Sequence, residues 1–405
     1  GHLLQLVYTF VADHTKRGKV LQQAHPITLI GVDFNQKARE ETKRTLEKAS
    51  IPHIVLHGDI GDPGQLMQDL ELNYGIKKSD RDKILHIRSF LDHDRPFLEI
   101  GDRRSLEVRK KYLSNLYTGR YIGSHGENLA AVEVVQNLVE HLQRWRDVVN
   151  QHGLFVLEVH CLDPRVSGEY MEMCASLYFD ACQAMSRQWL VEPHVWLMAA
   201  SEAGLFPHHH QNITMLPEHA PYKRMTLTRF IREPYCIRPV HYDDMEQIVS
   251  FDRSGGSGGG PPAGGGRWPL DLTLDSLQEH LEQTKHIGQF SLTNQQGRVI
   301  GALFTLRSKR FTSIVDWCSH LGKKRGSNFE EGEGKYLHIV GVFGCSIIEG
   351  GRDGVEVEKC LIDFATSYGR SLCIEAIYSS ILLHENDNRE GGGGGDGDGA
   401  VHNNS

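Results

Sequence analysis

The chain has 405 residues, 39% hydrophobic and 24% charged, with a net charge of -8 at pH 7, which suits a soluble globular protein of two ordinary domains, each with a core of its own. That acidic balance argues against nucleic acid as a partner, and neither a signal peptide nor an apolar run of the roughly 18 to 20 residues that span a membrane is visible. The eight cysteines stand singly with no CxxC spacing, which points to a reducing, cytoplasmic setting with buried thiols.

In chain order, residues 2–21 read as one helix with apolar positions at Leu3, Leu6, Val7 and Phe10. A helix that begins at the first residues implies an element before it, so the chain is expected to continue beyond its N-terminus. Residues 27–34 (ITLIGVDF) read as a strand ending in Asp33, residues 36–49 as a charged helix, and residues 54–56 as a strand followed by the turn HGDIGDP. A helix over 65–72 leads to a second apolar run, where Ile84, Leu85, Ile87, Phe90 and Leu91 suit a buried parallel strand that stops at Asp92-His93-Asp94-Arg95. Residues 132–149 form an amphipathic helix feeding the strand 154–160 (LFVLEVH), which ends in His160; 171–204 looks mostly helical and 225–231 alternates as a last antiparallel strand. This β-α-β-α order predicts right-handed crossovers and a parallel sheet.

A boundary is expected between residues 233 and 234. Beyond it come a strand, a turn and a helix start, a flexible Ser/Gly/Pro insert at 254–266, a helix over 274–284, strands at 288–293, 299–308 and 336–343, a glycine-rich loop, a helix over 355–368 and a strand at 372–378. This is a second α/β domain of different topology, over 234–385. The tail 386–405 is polar and glycine-rich, is expected to be disordered, and suggests a cut C-terminal end as well.

Open α/β sheets bind ligands at the C-terminal edge of their strands. If the strands ending at His93 and His160 are neighbours, two imidazoles meet across one crevice, which suggests a metal site; the bland alternative is two strand-end histidines hydrogen-bonded to backbone. Asp33 at a strand tip is placed to hold a ribose diol, and Asp59 in HGDIGD an adenine amino group, although acids at strand ends are more often solvated turn residues. The HHH at 208–210 sits in a Pro-flanked loop and reads as surface.

The segments GHLLQLVY, TKRGKVL, GVDFNQKAR, IPHIVLHGDIGDP, HIRSFLDHDRP, QNLVEHLQRW and LFVLEVH resemble the methyltransferase domain of the methyltransferase plus GNAT-like loading modules that start polyketide pathways of the saxitoxin and apratoxin type. The resemblance runs from residue 1 to about 235. It implies a class I methyltransferase fold, Rossmann-like with an antiparallel last strand, in which Gly1 ends the S-adenosylmethionine loop and the first strand is missing. It assigns Gly1, Asp33, Phe34, Asp59, Ile60 and Arg88 to the cofactor. It also implies an iron or manganese ion that stabilises the enolate of a malonyl group on an acyl carrier protein, held here by His93 and His160 with Asp92, Glu158 or Gln183. His93, His160 and Gln183 would take part in catalysis. Members of the family carry a histidine where this chain has Gln183, which offers an oxygen but takes no proton.

The second domain resembles the GNAT fold, in which a loop before a helix turns backbone N–H groups to coenzyme A pyrophosphate. Gly350, Gly351 and Gly354 fall in that loop, but Glu356 repels phosphate, so a phosphopantetheine-linked acyl arm fits better than free coenzyme A. The resemblance implies a decarboxylase, with Tyr378 near the catalytic threonine of relatives, and downstream carrier-protein and polyketide synthase or condensing domains as partners. Two other readings stand beside it: an inactive scaffold that holds a carrier protein, and a coenzyme A-dependent acetyltransferase.

Overall fold

The computed structural model describes the chain apart from residues 22, 115–116, 118, 174–176, 178–186, 209–212, 255–273, 285–288, 309–335, 345–353, 372–375 and 380–405. Gln183, Gly350, Gly351, nearly all of the Gly/Pro insert, His209, His210 and the C-terminal tail therefore lie outside the described residues.

The first helical run divides into α1 (His2–His14) and α2 (Lys16–Leu21). Thr15 between them is extended, at φ -110° and ψ 155°, and its Oγ1 accepts from Gly18 N at 3.2 Å, so this threonine caps the second helix. Then follow β1 (Leu29–Asp33), α3 (Gln36–Lys48), β2 (His53–His57) and α4 (Pro63–Tyr74). The sequence explains where α4 starts and stops: Asp62 accepts from Gln65 N at 3.0 Å, Pro63 opens the first turn, and Gly75 closes the helix at φ 70°.

Next come β3 (His86–Ser89), α5 (Arg103–Tyr112), the hairpin β4 (Tyr121–Ile122) and β5 (Asn128–Leu129), α6 (Ala131–Arg146) and β6 (Leu154–Val159). The first unit ends with α7 (Pro164–Tyr170), α8 (Pro193–Glu202), β7 (Leu205–Pro207), β8 (Thr214–Leu216) and β9 (Met225–Arg232). Residues 187–192 are not helical, contrary to the expectation for 171–204.

The expected single parallel sheet is two sheets. Strands β1 and β2 pair with each other in parallel, and a second sheet has the order β3-β6-β9-β7, with β8 also on β9. Only β3 and β6 run parallel in that second sheet; β9 is antiparallel to β6, as its alternation predicted. Strand β3 is also shorter than its apolar run. Phe90 adopts φ 57°, which turns the chain out of the extended region and leaves Leu85, Phe90 and Leu91 exposed. The residues that β3 buries are His86 and Arg88, both against α6.

The second unit contains β10 (Tyr235–Pro239), α9 (Met245–Ser254), α10 (Leu274–Thr284), β11 (Gln289–Asn294), β12 (Val299–Ser308), β13 (Tyr336–Gly344), α11 (Gly354–Ser371) and β14 (Ala376–Ser379). Its sheet runs β10-β11-β12-β13-β14, antiparallel until β14, which pairs in parallel with β13 after the α11 crossover. The two units do not keep separate cores. One continuous cluster joins Val195, Leu197 and Phe230 to Phe290, Leu292, Leu361 and Phe364. Helix α8 is apolar nearly all round because it lies between them. Trp196 meets Phe230 on one side, and His194 meets the Tyr368 ring of α11 on the other. Among the described residues no helix is long and apolar enough to cross a membrane.

Candidate functional site

Strand β6 alternates, sending Leu154, Val156 and Glu158 to its buried face. Two apolar residues are thus followed on the same face by a carboxylate, at the end of the strand beside β3. A carboxylate in such a place needs donors, and the turn after Phe90 supplies them. Glu158 Oε2 accepts from the Asp92 backbone N–H at 2.7 Å; Oε1 accepts from His93 Nδ1 at 2.6 Å and from Val159 N at 2.8 Å. With its Nδ1–H given to a carboxylate, neutral His93 carries its lone pair on Nε2. Its side chain is 11% exposed, against 1% for Glu158.

Asp92 is the hub beneath His93. Its Oδ1 accepts from Arg88 Nη1 at 2.8 Å and from His141 Nε2 at 2.9 Å, and its carbonyl accepts from Arg95 Nη1 at 2.8 Å. Arg95 reaches across to α6, donating to Asn137 Oδ1 and Val134 O, both at 2.9 Å. Burial opposes the charge on Asp92, but Arg88 and the His141 N–H outweigh it and hold the carboxyl below its ordinary value. Burial pushes His141 down to about 4, so it is neutral and donates from Nε2. The segment 187–192 closes over this turn: Trp189 N donates to His93 O at 2.6 Å, and its indole Nε1 donates to Arg95 O at 3.0 Å.

His160 lies in the same region, with both of its ring nitrogens turned to other partners. It is fully buried, with Nδ1 against Val191 O at 3.2 Å and Nε2 against Thr226 Oγ1 at 2.8 Å, and burial lowers its pKa to about 3. It ties β6 to β9 and to the 187–192 segment. Among the described residues both His160 nitrogens and both Glu158 oxygens are engaged and Asp92 Oδ1 is shared between two N–H groups, which leaves His93 Nε2 and Asp92 Oδ2 as the uncommitted donors. Among the described residues no three of His, Cys, Asp and Glu are grouped as an ion needs. Gln183, the fifth expected ligand, lies outside the described residues.

The residues expected to hold the cofactor gather at the tips of β1 and β2. Asp33 ends β1 opposite His57, and Asp59 follows β2 by two residues. Each spends Oδ1 on its own turn, accepting from Asn35 N at 2.8 Å and Gly61 N at 2.7 Å, and Asp59 is exposed. Phe34 stands 73% exposed beside them. Two surface-reaching carboxylates and an aromatic face on adjoining strand ends fit the hydroxyl- and amino-bearing end of an adenosyl group. Ile60 O accepts from Trp145 Nε1 and Gly61 O from Arg144 Nε, both at 2.9 Å, which fixes this rim to α6. Gly1 lies against α3, its ammonium donating to Thr42 Oγ1 at 3.1 Å.

Arg88 lies between the rim and the tip. It is buried beneath the hub, its guanidinium 4.5 Å from the Trp145 ring centroid and paired with Asp92. In the second unit, Gly354 opens α11 and Tyr378 lies on β14, in register with His338. His141, Asn137, Arg95 and Trp189 were missed in the sequence. Their signal was present in α6, where Asn137 and His141 interrupt an otherwise apolar stripe of Val134, Leu138, Leu142 and Trp145.

A family model described as AprA MT2-like domain matches residues 1–228, more than half of the chain. No curated protein matches it.

Proposed function

The chain belongs to the AprA MT2-like methyltransferase family, and from that premise we propose that it methylates the α-carbon of a malonyl-type thioester carried on an acyl carrier protein, with His93 as the proton acceptor. The observation that carries this reading is the 2.6 Å contact between His93 Nδ1 and the buried, otherwise N–H-saturated Glu158. Such a carboxylate fixes the imidazole tautomer, keeps Nε2 basic and stabilises the imidazolium once a proton arrives. The α-proton leaves the acyl carbon for Nε2 as the enolate forms. S-adenosylmethionine, when bound, supplies an electrophilic methyl group on a sulfonium. Asp33, Asp59 and Phe34 hold the adenosine end at the rim, while the 187–192 segment shields the turn from water. The methylation belongs to a polyketide pathway.

The boundary between residues 233 and 234, and a GNAT-like second unit over 234–385, are parts of the same proposal. Four antiparallel strands followed by a helix and a parallel strand support that topology. Decarboxylation of the carried acyl group would be its role, with Glu356 disfavouring free coenzyme A. The test is methyl transfer from S-adenosylmethionine to malonyl-pantetheine, followed by mass spectrometry. His93→Ala is expected to lower kcat by roughly 10²- to 10⁴-fold, and excess chelator is expected to leave the wild-type rate unchanged. Full activity of His93→Ala would refute the assignment, and loss of activity in chelator would restore a metal.

A further inference from the structure

We propose that His141 is a positioning residue: by donating from Nε2 to Asp92 across the β3–α6 interface, it fixes the turn that presents His93. This rests on the reading of His93 as the proton acceptor. Four observations point to it.

First, the contacts converge. Asp92 receives Arg88 and His141 on one carboxylate oxygen, Arg95 on its carbonyl, and gives its own N–H to Glu158. Glu158 is the same carboxylate that holds His93, so a shift of Asp92 moves both members of the dyad. Second, the tautomer is determined. A carboxylate oxygen at 2.9 Å requires a proton on His141 Nε2, so Arg88 Nη1 donates to Asp92 rather than to the imidazole.

Third, the cluster is poorly satisfied for one that merely stabilises the fold. Asp92 Oδ2, His141 Nδ1 and the Nε and Nη2 atoms of Arg88 are buried without a hydrogen-bond partner. Unpaired buried polar atoms are costly, and well-packed apolar residues often replace a buried ion pair without loss of stability. The cluster thus keeps a polar network where packing alone does not call for one, and the His141 donor is directed at Asp92. Fourth, the interface places the donor. Trp145, one helical turn along α6 from His141, packs against His86 and Arg88 of β3. It sets the height at which His141 meets Asp92.

The test compares His141→Gln, whose amide N–H replaces that of Nε2, with His141→Leu and His141→Asn, which supply no donor at that point. His141→Leu and His141→Asn are expected to lower kcat for malonyl-pantetheine by roughly 10- to 100-fold. KM for the thioester should stay within about twofold, as for an interaction felt mainly in the transition state. His141→Gln should recover most of the rate and most of the stability, whereas His141→Leu should melt below wild type, because Asp92 stays buried with one donor fewer. If His141→Leu fails to fold, the Asn and Gln variants decide the question between them. Nitrogen NMR of the His93 ring supplies a readout without turnover: a single Nδ1–H tautomer is expected in wild type and in His141→Gln, and exchange between tautomers in His141→Asn. Wild-type kcat and an unchanged His93 spectrum in His141→Asn would overturn the positioning role, while inactive His93→Ala would leave the proton-acceptor reading intact. Conversely, active His93→Ala would sink that reading, and the spectrum would still decide whether His141 orders the ring.

Discussion

The rim at β1–β2 and the tip of β3–β6 are both built from acids at strand ends, yet they are held in opposite ways. At the rim, Asp33 and Asp59 each bond a backbone N–H two residues away and reach the surface. At the tip, Glu158 and Asp92 are buried, and beside their local bonds to Val159 N and Arg88 they are bonded to groups 49 to 66 residues distant. A carboxylate satisfied by its own turn keeps capacity for a ligand. One bonded to distant elements ties those elements together and orients the group beside it.

The largest expected separation between the two regions is in acid. Burial lowers the pKa values of His86 and His141 to about 4 and of His160 to about 3, from an ordinary 6.5. Below pH 6.5 the unfolded chain takes up protons that the folded chain refuses, so stability falls as pH drops towards 4 and levels off only beneath the folded values. Each histidine's contribution approaches roughly 1.4 kcal/mol per pH unit once the pH is well below 6.5, and the three together cost about 5 kcal/mol between pH 6.5 and 5. Urea unfolding at a series of pH values checks this. A flat profile from pH 7 to 5 would mean that the tip is hydrated rather than buried.

Removing the committed carboxylate is the next largest perturbation. Glu158→Ala strips acceptors from His93 Nδ1 and from the Asp92 N–H, and it is expected to destabilise by roughly 3 to 5 kcal/mol, together with loss of methyl transfer. The denaturant midpoint measures the first effect, and the same assay the second. Asp33→Asn should behave in the opposite manner, weakening S-adenosylmethionine by about tenfold in calorimetry, roughly 1.4 kcal/mol, with an unchanged melting temperature. The smallest effect expected is Asp62→Ala at the start of α4, near 1 kcal/mol of stability with no effect on turnover.

The same contrast sets what was legible in the sequence. Helix α4 could be read from Asp62-Pro63 and Gly75, because caps act within one turn. The parallel pairing of β3 with β6 and the antiparallel β9 followed from apolar runs and alternation. The rim acids were singled out by their place at strand ends. At the tip, sequence reasoning singled out His93, Asp92, Glu158 and His160, but not the hydrogen bonds that join them. Proximity suggested a shared ion, whereas Thr226 and Val191 engage His160, and Glu158 turns to His93. Those partners lie 31 to 66 residues away, and no local pattern reports them. Strand β3 misled for a related reason: its apolar residues suggested the buried face, but pairing of Arg88 with Asp92 and stacking on Trp145 put His86 and Arg88 inside. The joint core around α8 was likewise invisible, because an all-apolar short helix looks the same in one core or between two.

The most direct test of the His93–Glu158 pair is the pH profile of methyl transfer to malonyl-pantetheine in wild type, Glu158→Gln and His93→Ala. The account predicts a rate governed by one basic group in wild type, a large loss of kcat in Glu158→Gln with S-adenosylmethionine affinity retained, and a pH-independent residual rate in His93→Ala. Wild-type turnover by His93→Ala, with the same pH dependence, would contradict it.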